Sequence, residues 1–143
     1  MSGAVDRLVI HCDGAARGNP GPAGSGAFLT TPDGRIVDEI AEGIGEATNN
    51  VAEYTAAILG LERAKALGAR EILLRSDSQL LINQLTGAYR VKSAHLQPLH
   101  RQIRALASAF DRVTYEHVPR ERNVDADRLA NLGVDRWLAA RGR

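Results

Sequence analysis

Apolar positions come in short runs near the start of the chain and at helical spacing further along. Arg7 to Asp13, Ser25 to Thr31 and Arg35 to Gly43 read as strands joined through Gly/Pro turns into an antiparallel meander. From Asn49 to Leu67 the spacing becomes helical. Tyr54, Ile58, Leu61 and Lys65 recur along one face, alanines extend the buried stripe, and Gly68 supplies a stop. Glu71 to Ser76 is a short apolar strand, made parallel to the first by the long right-handed crossover that precedes it. Ser78 to Thr86 and His95 to Phe110 then read as helices, Arg112 to Val118 as a fifth strand, and Val124 to Ala140 as a terminal helix.

The order βββαβααβα predicts an α/β fold with a mixed five-stranded sheet, three strands antiparallel and two parallel, and helices on both faces. Residues 1–143 read as one domain with a core of about 7–140, since no repeat, low-complexity segment or linker interrupts the pattern. Two adjacent strands would end side by side at Asp13 and Asp77. Open α/β sheets bind ligands beyond the carboxyl ends of such strands, where the connections diverge.

Composition agrees with one ordinary domain. A chain of 143 residues, 44% hydrophobic, can bury about two-thirds of its unfolded surface. The single cysteine, Cys12, cannot form an internal disulfide and lies in the apolar run Leu8-Val9-Ile10-His11-Cys12, which predicts a buried thiol in a reducing compartment. MSGAVDR lacks the apolar centre of a signal peptide, and no stretch approaches the ~20 apolar residues that cross a bilayer. A cytoplasmic protein without a membrane partner is expected. The net charge of +1 conceals a division: 7 basic and 11 acidic residues through Ala88, then 11 basic and 6 acidic from Tyr89. The second half suits a polyanion, although Arg101, Arg104 and Arg112 equally suit the wet side of a helix and its loop.

Four acids carry the chemistry: Asp13 in CDGAARGNPGPAGSG, Glu53 in ATNNVAEYTAAILG, Asp77 in RSDSQLLINQ and Asp127 in HVPRERNVDADRLAN. Taken alone, each has a structural explanation: a turn for Asp13-Gly14, a solvated helix for Glu53, an N-cap for Asp77, a helix-dipole partner for Asp127. Brought together they suit phosphodiester hydrolysis. That reaction needs a nucleophilic water, shielding of a nonbridging oxygen and stabilisation of the departing 3′ oxygen, which two divalent ions about 4 Å apart supply. Carboxylates are natural ligands for Mg²⁺, and crowding them raises their proton affinity until cations arrive.

The words DGAARGNPG, TNNVAE, SDSQ and NVDADRLAN, in this order, closely resemble the type 1 ribonuclease H family from about Leu8 to about Leu132. The resemblance implies a ribonuclease H-like fold and a monomeric metal-dependent endoribonuclease. Such an enzyme cuts the RNA strand of RNA–DNA hybrids, leaving 5′-phosphate and 3′-hydroxyl ends, with two Mg²⁺ ions for which Mn²⁺ substitutes. It further implies that Asp13 bridges both ions, that Glu53 and Asp77 complete the leaving-group site, and that Asp127 completes the nucleophile site. His117, ten residues before Asp127, matches the family histidine that shuttles protons or helps product leave, on a loop kept mobile by Pro119-Arg120-Glu121-Arg122-Asn123. A strand-end histidine is the plainer alternative. His11, His95 and His100 have no matching motif and are expected to be structural or solvated.

Substrate contacts are expected around the acids. Gly14, Gly18, Gly21, Gly24 and Gly26 would let the first turn approach a sugar-phosphate backbone and its 2′-hydroxyls. By resemblance Asn19, Asn49, Asn50 and Gln79 contact the strands, and Thr48 with Asn19 holds a DNA phosphate. Asn123 caps the last helix, touches substrate, or does both. One departure stands out: the family's Trp- and Lys-rich basic protrusion is missing between Gln84 and Ile103, where only Arg90 and Lys92 precede the next helix. This resembles the shorter, archaeal-like branch and makes duplex RNA a second candidate substrate. Two further readings stay open, a non-catalytic nucleic-acid-binding domain and a related DNA nuclease or integrase-type enzyme.

Overall fold

A computed structural model describes residues 6–141. Strands β1 (Arg7–Ala16), β2 (Gly21–Thr30) and β3 (Ile36–Ala47) precede helix α1 (Asn49–Ala66) and strand β4 (Glu71–Ser76). Helices α2 (Gln79–Leu85) and α3 (Gln97–Ala107), strand β5 (Arg112–His117), a 3₁₀ turn at Arg120–Arg122 and helix α4 (Val124–Arg141) follow. The sheet order is β3-β2-β1-β4-β5. β1, β2 and β3 pair antiparallel, and β4 pairs parallel with both β1 and β5. The expected element order and mixed sheet are present.

Period-two alternation divides the sheet between two helical layers. Along β1 and β2, Leu8, Ile10, Cys12, Ala27 and Leu29 face a core shared with Tyr54, Ile58 and Leu61 of α1, Leu81 and Ile82 of α2, and Ile103 of α3. The alternate residues of β2 face α4. A Cβ at Gly26 would lie 2.5 Å from both Ala126 O and Ala130 N, so only glycine lets α4 lie this close to the sheet.

Several sequence expectations are corrected here. β1 does not end at Asp13. It continues to Ala16 because β2 still pairs with it, Asp13 opposite Gly26 and Ala16 opposite Ala23, whereas pairing with β4 stops at His11 opposite Arg75. The divergence of β1 from β4, rather than the end of a strand, exposes the aspartate. The glycine-rich stretch is likewise mostly strand: Gly14 lies in β1, Gly21, Gly24 and Gly26 lie in β2, and only Gly18 sits in the turn between them. Gly24 and Gly26 admit α4, so they serve packing rather than a nucleic acid. Lys65 is exposed, and Ala57 and Ala64 complete the buried face of α1. α3 is shorter than its pattern, from Gln97 to Ala107, with Pro98 in its first turn. No helix among the described residues is long and apolar enough to cross a membrane.

Candidate active site

Each acid reaches the site by a different element. Asp13 projects from β1 where β4 leaves it, and its carboxylate accepts the Gly14 amide at 2.9 Å. Glu53 lies in the second turn of α1, whose N-cap is Thr48 Oγ1 accepting the Val51 amide at 3.2 Å. Gly14 sets the distance between them, because a Cβ there would collide with the Ala52–Glu53 backbone. Asp77 follows β4 and is not the cap of α2. Ser78 caps instead, accepting the Leu81 amide at 3.1 Å, which leaves the Asp77 carboxylate free. Asp127 lies in the first turn of α4, its backbone N–H donating to Asn123 O at 3.1 Å.

Ligand oxygens of Asp13, Glu53 and Asp77 all lie within 4.8 Å of one another. Asp127 joins these three in lining one cleft of about 450 Å³, along with Gly14, Asn49, Arg120 and Asn131. Asp13 and Glu53 are only 6% and 8% exposed, yet no ion pair among the described residues includes any of the four acids. The electrostatic result is strong. Burial first, then the Asp77 charge, a hydrogen bond with Asp127 and the remaining carboxylates push the Asp13 carboxyl up to about 8. Burial raises Glu53 to about 7, opposed by a hydrogen bond with Ser78 and reinforced by Asp77. Buried carboxylates facing one another without a cation form a hard-oxygen donor set, which fits a divalent metal ion.

The other expected residues divide. Gly14 and Asn49 line the acidic cleft. Asn19, Thr48 and Asn50 line a neighbouring cavity of about 530 Å³ together with Ser93, His95 and Leu96. Asn19 Oδ1 accepts the Asn49 amide at 3.0 Å, which ties the β1–β2 turn to the start of α1. Gln79 is exposed in the first turn of α2. His117 is the exposed last residue of β5, opposite Ser76, rather than a loop residue. The segment after it is folded as the 3₁₀ turn and anchored by Asn123, not a free loop. Asn123 is turned inward at 1% exposure, its Nδ2 donating to Cys12 O at 3.0 Å, so its side chain neither caps α4 nor meets solvent.

Two cleft residues escaped the sequence reading. Arg120 brings the cleft a cation, and Asn131 donates to Asp127 O at 3.0 Å and reaches its Oδ1 at 3.5 Å. The i, i+4 spacing of Asp127 and Asn131 was the available signal. Arg120 had only its position in a basic run.

A mixed sheet carrying four convergent acids at its divergence point defines a nuclease-like scaffold, and comparison with known proteins narrows it. Residues 11–133 match the reverse transcriptase-like family. A ribonuclease H from Pseudomonas fluorescens is 36% identical, the alignment covering 94% of this chain and 95% of that protein. The chain belongs to the type 1 ribonuclease H family. The crystal structure of RNase H1 from Halobacterium salinarum, 47% identical, superposes with a TM-score of 0.88 over 90% of this chain and 98% of that one. LC11-RNase H1, solved in complex with an RNA/DNA hybrid, is 39% identical, with a TM-score of 0.87 over 92% and 99% of the two chains. The chain spans 36% of the length of mycobacterial relatives with which it shares 50% identity, and 65% of the Halobacterium salinarum ribonuclease HI sequence.

Proposed function

We propose that the protein is an endoribonuclease that hydrolyses the RNA strand of RNA–DNA hybrids, leaving 5′-phosphate and 3′-hydroxyl ends, with two Mg²⁺ ions as cofactors and Mn²⁺ as a substitute. The observation that carries this is the uncompensated cluster: three carboxylates within 4.8 Å and a fourth in the same cleft. Asp13 is grouped with Glu53 and Asp77, and Asp127 lines the same cleft. By the family resemblance Asp13 would contribute to both metal positions, with Glu53 and Asp77 completing one and Asp127 the other. Bound there, the ions supply the positive charge that activates water and stabilises the departing oxygen.

The remaining work falls to the chain. Asn131 holds Asp127 in place, and Arg120 faces the cleft where a phosphate would lie. Asn19, Thr48 and Asn50 border the neighbouring cavity, suited to the DNA strand, Asn49 lines the acidic cleft, and the exposed Gln79 would contact a strand from the start of α2. By the family resemblance His117, exposed at the end of β5, would relay a proton or hasten product release. The free, buried Cys12 accords with a cytoplasmic setting, and we take the chain to act as a single monomeric domain.

A cleavage panel tests the proposal. Labelled hybrid, RNA duplex and DNA duplex of one sequence are incubated with Mg²⁺, with Mn²⁺ and with chelator. Cutting of the hybrid RNA strand only with metal is expected, and cutting of the RNA duplex would extend the substrate range. Binding without cleavage would favour the non-catalytic reading. Cleavage of DNA duplex at a comparable rate would favour the DNA nuclease reading.

A further inference from the structure

The four carboxylates repel one another, and the same repulsion that prepares them for cations acts to drive their elements apart. Close packing at Gly24 and Gly26 holds the body of α4 on the sheet, but its first turn must also be held beside Asp13 before any cation is present. One buried side chain is placed to do this. Asn123 Nδ2 donates to the carbonyl of Cys12, the residue before Asp13, at 3.0 Å across 111 positions of sequence. The Asn123 carbonyl accepts the backbone N–H of Asp127 at 3.1 Å. The line continues, since Cys12 Sγ donates to Arg75 O at 3.6 Å, two residues before Asp77. Asp127 and the segments next to Asp13 and Asp77 are thus joined by successive hydrogen bonds, with Asn123 at the centre.

The other half of the Asn123 amide strengthens the argument. Its Oδ1 is buried and has no partner among the described residues. An orphaned buried carbonyl costs free energy, so stability alone does not explain an amide here. What the position requires is an Nδ2 donor aimed at Cys12 O in a side chain too buried to touch substrate. We infer that Asn123 is a positioning residue that holds Asp127 at metal-binding distance from Asp13, and that it contacts neither metal nor nucleic acid.

The inference rests on the proposed cation site, and the experiment keeps the two separable. Mg²⁺ and Ca²⁺ binding to the wild-type protein and to Asn123→Ala is measured by calorimetry without nucleic acid, and kcat and KM for hybrid are measured across a Mg²⁺ series. Asn123→Ala should weaken cation binding about tenfold and shift the Mg²⁺ requirement upward by a similar factor. KM for hybrid at saturating Mg²⁺ should stay within about twofold of wild type, because the side chain does not reach substrate. Asn123→Ser, which keeps a donor, should recover part of the cation affinity and takes over the test if the alanine variant does not fold. An unchanged Mg²⁺ requirement in a folded variant overturns the inference, as does a raised KM with unaltered metal binding, which would return Asn123 to the substrate. A wild-type protein that binds no cation and cleaves nothing would instead remove the proposed function.

Discussion

The two ends of the parallel strands handle charge in opposite ways. Where β1, β4 and β5 begin, carboxylates are matched to arginines: Glu71 accepts from Arg112 at 3.0 Å and lies 3.6 Å from Arg7, and Arg70 pairs with Asp111 at 2.9 Å. Where β1 and β4 diverge, Asp13, Glu53 and Asp77 have one another and, among the described residues, no ion-pair partner. The first end is exposed and the second buried, so the unpaired charges lie where they cost most. Folding alone accounts for the first arrangement. The second suits a ligand that brings positive charge.

The most direct way to break the comparison is to remove one charge from each end. Asp77→Asn keeps the shape but loses a ligand charge, and kcat with saturating Mg²⁺ should fall by about a thousandfold or more. Glu71→Gln removes an acid of equal formal charge and should leave cleavage within about twofold, as surface ion pairs contribute little. Near-equal single-turnover rates for the two variants would mean that the buried cluster is not the catalytic centre.

Stability against pH sharpens the contrast because the signs are opposite. Asp13 and Glu53 have ordinary values of 3.8 and 4.5 and folded values of about 8 and 7, so between these limits the folded chain holds more protons than the unfolded chain. Without metal, stability is full below the ordinary values and declines as pH rises through the folded ones. Glu71, held low chiefly by its hydrogen bond from Arg112, acts the other way: its contribution is present above the ordinary carboxylate value and is lost as pH falls. Asp13→Asn should therefore raise metal-free stability at pH 7 by about 2 kcal/mol and flatten the neutral slope. The midpoint should rise by roughly 5 °C. Thermal melts in chelator from pH 4 to 8 measure this, and a destabilised Asp13→Asn variant would contradict the account.

The sheet and its order were legible because β-strand runs, one long helical segment and the crossover rule leave few topologies. The four acids were legible from their surrounding words and the resemblance those words carry. Backbone pairing was less visible: β1 runs on past Asp13 because β2 accompanies it, a register that no single stretch reveals. Gly24 and Gly26 read as part of a turn approaching a sugar-phosphate backbone, because a missing Cβ reads alike in such a turn and under a closely packed helix. Asn123 likewise looked like a cap or a contact until Cys12 O, 111 residues away, appeared as its partner.

Within the acidic end, Arg120 and His117 can be ranked. Arg120 lines the cleft and His117 is exposed at the end of β5. Arg120→Ala should slow single-turnover cleavage by about tenfold, the loss of one charge-assisted contact to phosphate. His117→Ala should slow multiple turnover by about two- to threefold while sparing the chemical step. The reverse ranking in quench-flow rates would place the histidine nearer the reacting phosphate than Arg120.

The smallest expected effect separates the two ends by their response to salt. Between Ser78 and Phe110 the chain contains no acid, and Arg90 and Lys92 in the α2–α3 loop take part in no ion pair among the described residues. That loop continues into Ser93, His95 and Leu96, which border the cavity shared with Thr48 and Asn50. A duplex entering the acidic cleft and leaning on this cavity would pass the loop, where Arg90 and Lys92 would neutralise phosphates and release their condensed counterions to solvent. Lys92→Ala should therefore lower the slope of log affinity against log salt by about one unit and weaken low-salt binding a few-fold. Arg70→Ala, at the paired end, should leave the slope unchanged because Asp111 already neutralises that side chain. Both variants are measured by hybrid binding in Ca²⁺ over a salt series, with single-turnover cleavage in Mg²⁺ alongside. Equal slopes for Lys92→Ala and the parent would mean that the duplex leaves the cleft in another direction. A shallower slope for Arg70→Ala would mean that the arginine-matched end also meets nucleic acid, and the division between the two ends would not hold.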